Sequence, residues 1–303
     1  MYSSEGCVPD IPSSVWARPA RQPMKAESDH RFTEIFAALN CLIGLSDVKE
    51  QVKRLIYYIH VQDTRKAFSL RAPDCLYNFA LVGNPGTGKS TVARILATAL
   101  TKIFPFTFSR IVSVNPSNLL GDVVGRTAEK TRSVLDKCLN GVLIIDEAHA
   151  IATEGVRAYG EDCLAVINDF LSVYKDRISV ILCGYPCEMR KLLDLSPGLS
   201  SRIHRTIYFP DYSILELEEI FNLLCTQYSI LVDGECIDAF KCSILKRIHM
   251  KNFGNARTVD NIFRETLENQ AVRICTSADF SEHSLRTIIA ADIPVGRDAN
   301  VDN

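Results

Sequence analysis

Eight consecutive residues, Gly83-Asn84-Pro85-Gly86-Thr87-Gly88-Lys89-Ser90, have the types and spacing that hold a phosphate chain. Glycines accept positive φ and let backbone N–H groups approach an anion closely. A helix N-terminus behind such a turn adds the favourable end of its dipole. In this pattern Lys89 reaches the β and γ phosphates, and the Ser90 hydroxyl helps to hold Mg²⁺. A second constellation is Ile144-Ile145-Asp146-Glu147, two acids immediately beyond an apolar run. Asp146 is the candidate partner of Ser90 for Mg²⁺, mostly through water. Glu147 is the candidate for polarising a water that attacks the γ-phosphate. Together the two segments predict binding and hydrolysis of a nucleoside triphosphate. The chain has no N-K-x-D base-reading motif of the GTP-specific kind, so ATP is the expected nucleotide.

Those residues need a strand, a loop and a helix in that order, and the flanks supply them. Leu76 to Val82 is a short apolar run that reads as a buried strand. Val92, Ile95, Leu96 and Ala99 then repeat at helical spacing. Further strands are predicted at 110–114, 141–146, 177–183 and 205–209, with helices at 127–138 and 160–174 between them. Near-continuous apolar strands separated by helices indicate a parallel sheet covered on both faces. Binding sites in such sheets lie beyond the carboxyl ends of the strands, where both motifs fall. Upstream, Ser46 is the expected N-cap of a helix striped by Val52, Leu55, Ile56 and Ile59. After Pro210-Asp211 the strand signal stops, and helical patterns follow at about 213–228, 233–249, 255–276 and 281–290.

The expected organisation is therefore an arm over 1–31, an α/β nucleotide-binding domain over 32–210, a helical lid over 211–293 and a tail over 294–303. The arm carries Pro9, Pro12, Pro19 and Pro23 among serines and charges, without periodicity. With 47% apolar residues the chain can fill proper cores, and a net charge of −2 implies no general attraction to polyanions. No basic stripe or added DNA-binding motif is present, which speaks against a DNA-linked machine. No run approaches the ~18 consecutive apolar residues of a membrane span, and no secretory signal is visible at the start. The 11 cysteines lack metal spacing and read as free thiols of a reducing, cytoplasmic compartment.

The pair G-N-P-G-T-G-K-S and V-L-I-I-D-E-A-H resembles an AAA+ ATPase. Five more segments narrow the likeness: Gly44-Leu45, Gly125 to Thr131, Ser196 to Leu199, Phe209 to Tyr212, and Phe253-Gly254-Asn255-Ala256-Arg257. They are similar to the CbbX/SpoVK group, which includes red-type Rubisco activases, a sporulation ATPase and the ATPase domain of EccA proteins. The resemblance covers about residues 38 to 290 and implies a P-loop core of about five parallel strands followed by a small helical lid.

It also implies roles by position. Nucleotide contacts would come from Gly44, Leu45, Asn84, Pro85, Gly86, Thr87, Gly88, Lys89, Ser90, Thr91 and Asp146, and from Arg257 on the lid. Arg202 would be the arginine finger that reaches a neighbour's γ-phosphate, with Arg205 left open as a substitute for a second arginine. Such a finger implies a homo-oligomeric ring, a hexamer, acting on a protein client. The sensor after the fourth strand falls among Gly184, Tyr185 and Pro186, with Tyr185 the candidate. The first pore loop places Val123 and Val124 where relatives carry an aromatic, which offers less area for gripping a polypeptide. The second pore loop falls between Ala152 and Gly160, with Glu154, Arg157 and Tyr159 as candidates. The missing pore aromatic and the unusual sensor motivate an alternative, a slow-turnover nucleotide-gated scaffold. Rubisco activation is not carried over: Asp260 stands where activase relatives tend to have a basic residue.

Overall fold

The computed structural model describes residues 27–73, 77–103, 109–121, 125–153, 157–250 and 253–295. Five parallel strands form one sheet: β1 (Phe79–Gly83), β2 (Arg110–Val114), β3 (Gly141–Ile145), β4 (Ile178–Gly184) and β5 (Arg205–Phe209). Their spatial order is β2-β3-β4-β1-β5. The glycine loop therefore leaves β1 between β4 and β5, with the acid-bearing end of β3 one strand beyond β4.

The central strands β1, β3 and β4 read as unbroken apolar runs because they are buried on both faces, yet the period of two is present, while the edge strands β2 and β5 are partly exposed. Phe79 and Leu81 of β1, Val142 and Ile144 of β3, and Ile181 and Cys183 of β4 enter one apolar cluster. Ala80 and Val82, Leu143 and Ile145, and Val180 and Leu182 enter the other. The first cluster is shared with α1 (Glu27–Asn40), α2 (Ser46–Ala67) and α3 (Lys89–Ile103). The second is shared with α4 (Arg126–Lys137), α5 (Arg157–Val173), α6 (Pro186–Leu195) and the single turn α7 (Pro197–Ser200).

Beyond β5 come α8 (Ile214–Gln227), α9 (Gly234–Arg247), α10 (Ala256–Ser277) and α11 (Glu282–Arg286). Their buried residues Leu217, Phe221, Phe240, Ile262 and Phe263 belong to the same cluster as the first sheet face, with Tyr212 at the junction. Ser213 caps α8 with a reciprocal box: the Glu216 N–H donates to its hydroxyl, and its own N–H donates to the Glu216 carboxylate at 2.7 Å. Among the described residues no helix is long and apolar enough to cross a membrane, and the described cysteines are free thiols.

Three local expectations need correction. Helix α1 begins at Glu27, inside the stretch assigned to the arm, because Ile35 and Leu39 dock on the core and the helix carries back from that anchor. The N-cap of α2 is Leu45, not Ser46, and Gly44 and Leu45 both adopt positive φ (58° and 56°). A side chain at Gly44 would collide with the Glu216 carboxylate of α8, so the tight turn is set by the lid rather than by capping. The last predicted helix is short. Thr287 leaves it to bridge Leu231, and the 3₁₀ turn Ala290–Asp292 follows.

Candidate functional site

Loop, acids and lid meet at one cleft of about 410 Å³. It is lined by Pro85 to Thr91, by Asp146 and Glu147 just after β3, by Gly184 and Tyr185 at the end of β4, and by Ala256, Arg257 and Asp260 from α10. Gly86 and Gly88 take φ of 69° and 87°, the left-handed conformation that the loop needs and that glycine adopts without strain. Lys89 opens α3 and is buried, and its ammonium donates to the carbonyls of Gly83 at 2.8 Å and Asn84 at 2.6 Å. Burial pushes its pKa below the usual lysine value, while the nearby Asp146 opposes that shift.

The Ser90 hydroxyl donates to Asp146 Oδ2 at 2.6 Å, so a hydroxyl and a carboxylate face the cleft together. Two hard oxygen donors of this kind suit Mg²⁺, which keeps waters and takes few protein ligands. Glu147 is exposed and left-handed (φ 51°), and its N–H donates to Asp146 Oδ1 at 3.0 Å. A left-handed non-glycine residue costs about 1–3 kcal/mol and persists only where its surroundings impose it. Here it turns the second acid away from its neighbour and toward the cleft.

Tyr185 follows β4 directly. Its ring centroid lies 5.3 Å from the Lys89 ammonium and 4.3 Å from the His149 ring. Burial raises the pKa of its hydroxyl, while Arg257 acts in the opposite direction as a nearby charge and hydrogen-bond donor. The tyrosine thus stands between the loop lysine and the lid arginine. His149 belongs to the 3₁₀ turn Ala148–Ala152, and burial holds its pKa below the usual histidine value.

The lid meets the loop through main-chain atoms. The Ala256 N–H donates to the Gly86 carbonyl at 3.3 Å, and a Cβ on Gly86 would overlap the Gly254 carbonyl oxygen. Asn255 is fully buried. Its Oδ1 accepts from the Tyr212 N–H at 2.9 Å, and its Nδ2 donates to Asp211 Oδ1 at 2.8 Å and to the Pro85 carbonyl at 3.2 Å.

Not every expected contact residue lines the cleft. The Asn84 amide is turned to the Asp211 carboxylate, 2.9 Å from both oxygens, where it ties the loop to the segment entering α8. Gly44 and Leu45 lie between α8 and the loop, with Leu45 Cδ1 3.4 Å from the position of a Cβ on Gly88. Arg202 lies elsewhere, after α7. Its guanidinium donates to Asn168 Oδ1 at 2.7 Å, to the Gly198 carbonyl at 2.6 Å and to Ser172 Oγ at 2.7 Å. Val123, Val124 and Glu154 lie outside the described residues. Reading the sequence left Asn255 and His149 without roles, although each sits in a quoted motif two positions from a residue that was assigned one.

A five-strand parallel sheet, a glycine loop after β1, paired acids after β3 and a helical lid closing on the loop define a P-loop ATPase. Residues 79–211 match the family model for the ATPase family associated with various cellular activities, and 213–302 match the AAA lid domain. Protein CbxX of Cupriavidus necator is 34% identical, covering 88% of this chain and 85% of the relative. Stage V sporulation protein K of Bacillus subtilis is 29% identical over 91% and 87%. A chloroplastic ribulose bisphosphate carboxylase/oxygenase activase of Cyanidioschyzon merolae is 31% identical over 84% and 85%. The chain belongs to the AAA+ ATPases, in the group of CbbX, CfxQ and the stage V sporulation protein K. Solved structures agree on the fold. The FIGL-1 AAA domain matches with a TM-score of 0.58 at 15% identity, covering 84% of this chain and 80% of that one. The Thermotoga maritima RuvB branch migration motor matches at 0.53 and 17%, covering 82% and 67%.

Proposed function

We propose that this ATPase remodels a protein client as a ring of identical subunits, a hexamer, with each ATP held between core and lid. The observation that carries the reading is the shared lining of one cleft: Lys89, Asp146 and Glu147 come from the core and Arg257 from the lid. Lys89 would bind the β and γ phosphates, and Ser90 with Asp146 would hold Mg²⁺. Glu147 would orient the attacking water, and Tyr185 and Arg257 would report the γ-phosphate to the lid, taken as residues 211–293. Closure of the lid on ATP, and its release after hydrolysis, would then move the loops that touch the client.

Arg202 is placed as the finger of the neighbouring subunit. Its position away from the lining of its own cleft supports action in trans, for which the guanidinium would exchange its intrachain acceptors Asn168, Gly198 and Ser172 for the phosphate. The named relatives include an activase of another enzyme, which supports a folded protein as the client class.

The test is the particle mass of Glu147→Gln protein with and without ATP, beside single-turnover hydrolysis. The expected result is ATP-dependent growth to a six-subunit ring with hydrolysis slowed at least about 100-fold. A protein that binds ATP yet stays monomeric would overturn the trans-finger mechanism, and unchanged hydrolysis would overturn the role of Glu147.

A further inference from the structure

His149 is a half-buried imidazole two residues past Glu147, at the back of the cleft, with no role in the chemistry described so far. Its Nδ1 is buried and has no hydrogen-bond partner. A buried nitrogen without a partner costs about 1–3 kcal/mol, so this histidine is not held in place by what its Nδ1 bonds. The same nitrogen faces the α-carbon of Gly184, where a Cβ would come within 3.1 Å of it. The same Cβ would come within 2.5 Å of the Met189 side chain, so the glycine at the end of β4 leaves room for both groups.

What the ring does touch is Tyr185. The two centroids are 4.3 Å apart, with the planes tilted by 38°. Aromatic pairs at such spacing contribute roughly 0.5–1.5 kcal/mol beyond their buried area. On its other sides Tyr185 meets the Lys89 ammonium and the side chain of Arg257. A tyrosine in an open cleft has two torsions free to carry its hydroxyl away from both cations, and the imidazole behind it removes that freedom.

We propose that His149 is a positioning residue whose ring seats Tyr185 between Lys89 and Arg257, so that one tyrosine joins the acid-bearing turn after β3 to the first turn of lid helix α10. The inference rests on the reading of the cleft as the ATP-hydrolysing site. It assigns His149 no proton transfer and no contact with nucleotide. When a γ-phosphate draws Lys89 and Arg257 toward itself, a seated Tyr185 follows as part of the same wall. With an unseated Tyr185, phosphate binding and lid closure come apart.

Four variants decide it: His149→Phe, His149→Ala, Tyr185→Ala and the His149→Ala/Tyr185→Ala double. Two readouts are needed, ATP turnover with Mg²⁺ and the hydrogen-exchange protection that ATP confers on the first turn of α10. His149→Phe keeps the ring, and is expected to hold turnover within about 2-fold, with an unchanged pH profile and full protection. His149→Ala is expected to lower kcat about 10-fold with KM within about 2-fold, and to lose most of the protection. The double variant should be no worse than Tyr185→Ala, because both remove one device.

A His149→Phe protein as impaired as His149→Ala overturns the proposal, since the ring nitrogens would then matter. Fully additive losses in the double variant overturn it as well. The exchange readout needs binding alone. If Glu147→Gln turned over normally and the hydrolysis reading fell, protection of α10 would still decide the role of His149.

Discussion

Asn255 offers the sharpest test of how lid and loop are joined. Replacing it by alanine removes three hydrogen bonds from a fully buried side chain and leaves the Tyr212 N–H without its acceptor. An orphaned buried donor costs about 1–3 kcal/mol, and each lost net hydrogen bond about 1 kcal/mol. Asp211 still receives the Asn84 amide, so its loss lies at the lower end. Asn255 also has φ 48° and ψ −122°, a conformation that adds about 1 kcal/mol of strain for alanine but none for glycine. Asn255→Ala should therefore destabilise by about 3–5 kcal/mol in urea unfolding, seen as a lower midpoint with little change in slope. Asn255→Gly should recover about 1 kcal/mol of that loss, the backbone share. Asn255→Asp keeps the acceptor for Tyr212 but sets a second carboxylate against Asp211, so it too should fall well below the parent. ATP affinity should drop with stability in all three, because the same amide reaches the Pro85 carbonyl in the phosphate loop. An Asn255→Ala protein within about 1 kcal/mol of the parent would refute the junction, as would a glycine variant less stable than the alanine one.

Two further outcomes follow from the geometry. Gly86→Ala combines φ 69° with a methyl group against the Gly254 carbonyl and 2.9 Å from the Arg257 N, and should cost about 2–4 kcal/mol and abolish ATP binding. Gly125→Ala, at φ 87° with nothing near its Cβ, should cost only about 1 kcal/mol, and melting curves of the pair separate collision from strain. Burial holds His149 and His204 below the ordinary value of 6.5, so the unfolded chain takes up protons before the folded one does. Stability should therefore be complete above about pH 6.5 and fall as pH drops through the lowered values. His204→Phe, which keeps a ring against Tyr58 and Phe79, should flatten part of that fall in urea titrations between about pH 8 and about pH 5.

What the sequence made legible was what repeats or what chemistry demands in a row. The sheet could be read because its three central strands are buried on both faces and flanked by helices. The loop and acids could be read because a phosphate requires adjacent glycines, a lysine and a hydroxyl in one turn. The back wall of the cleft has no such signature. His149 follows two acids and looks like the start of another turn, and the ring it packs on, Tyr185, stands 36 positions later. Asn255 stands where an N-cap belongs, yet its amide does not cap α10 and goes instead to Asp211, Tyr212 and Pro85. Asn84 sits inside the phosphate loop and spends its amide on the same Asp211. These side chains bind one part of the chain to another, so their partners are fixed only after folding. The glycine-loop half of the cleft is local and readable, while the wall made by His149, Tyr185 and the lid contacts of Asn255 is tertiary. Substitutions in the first half should remove binding, and substitutions in the second should uncouple binding from motion while the nucleotide still occupies its place.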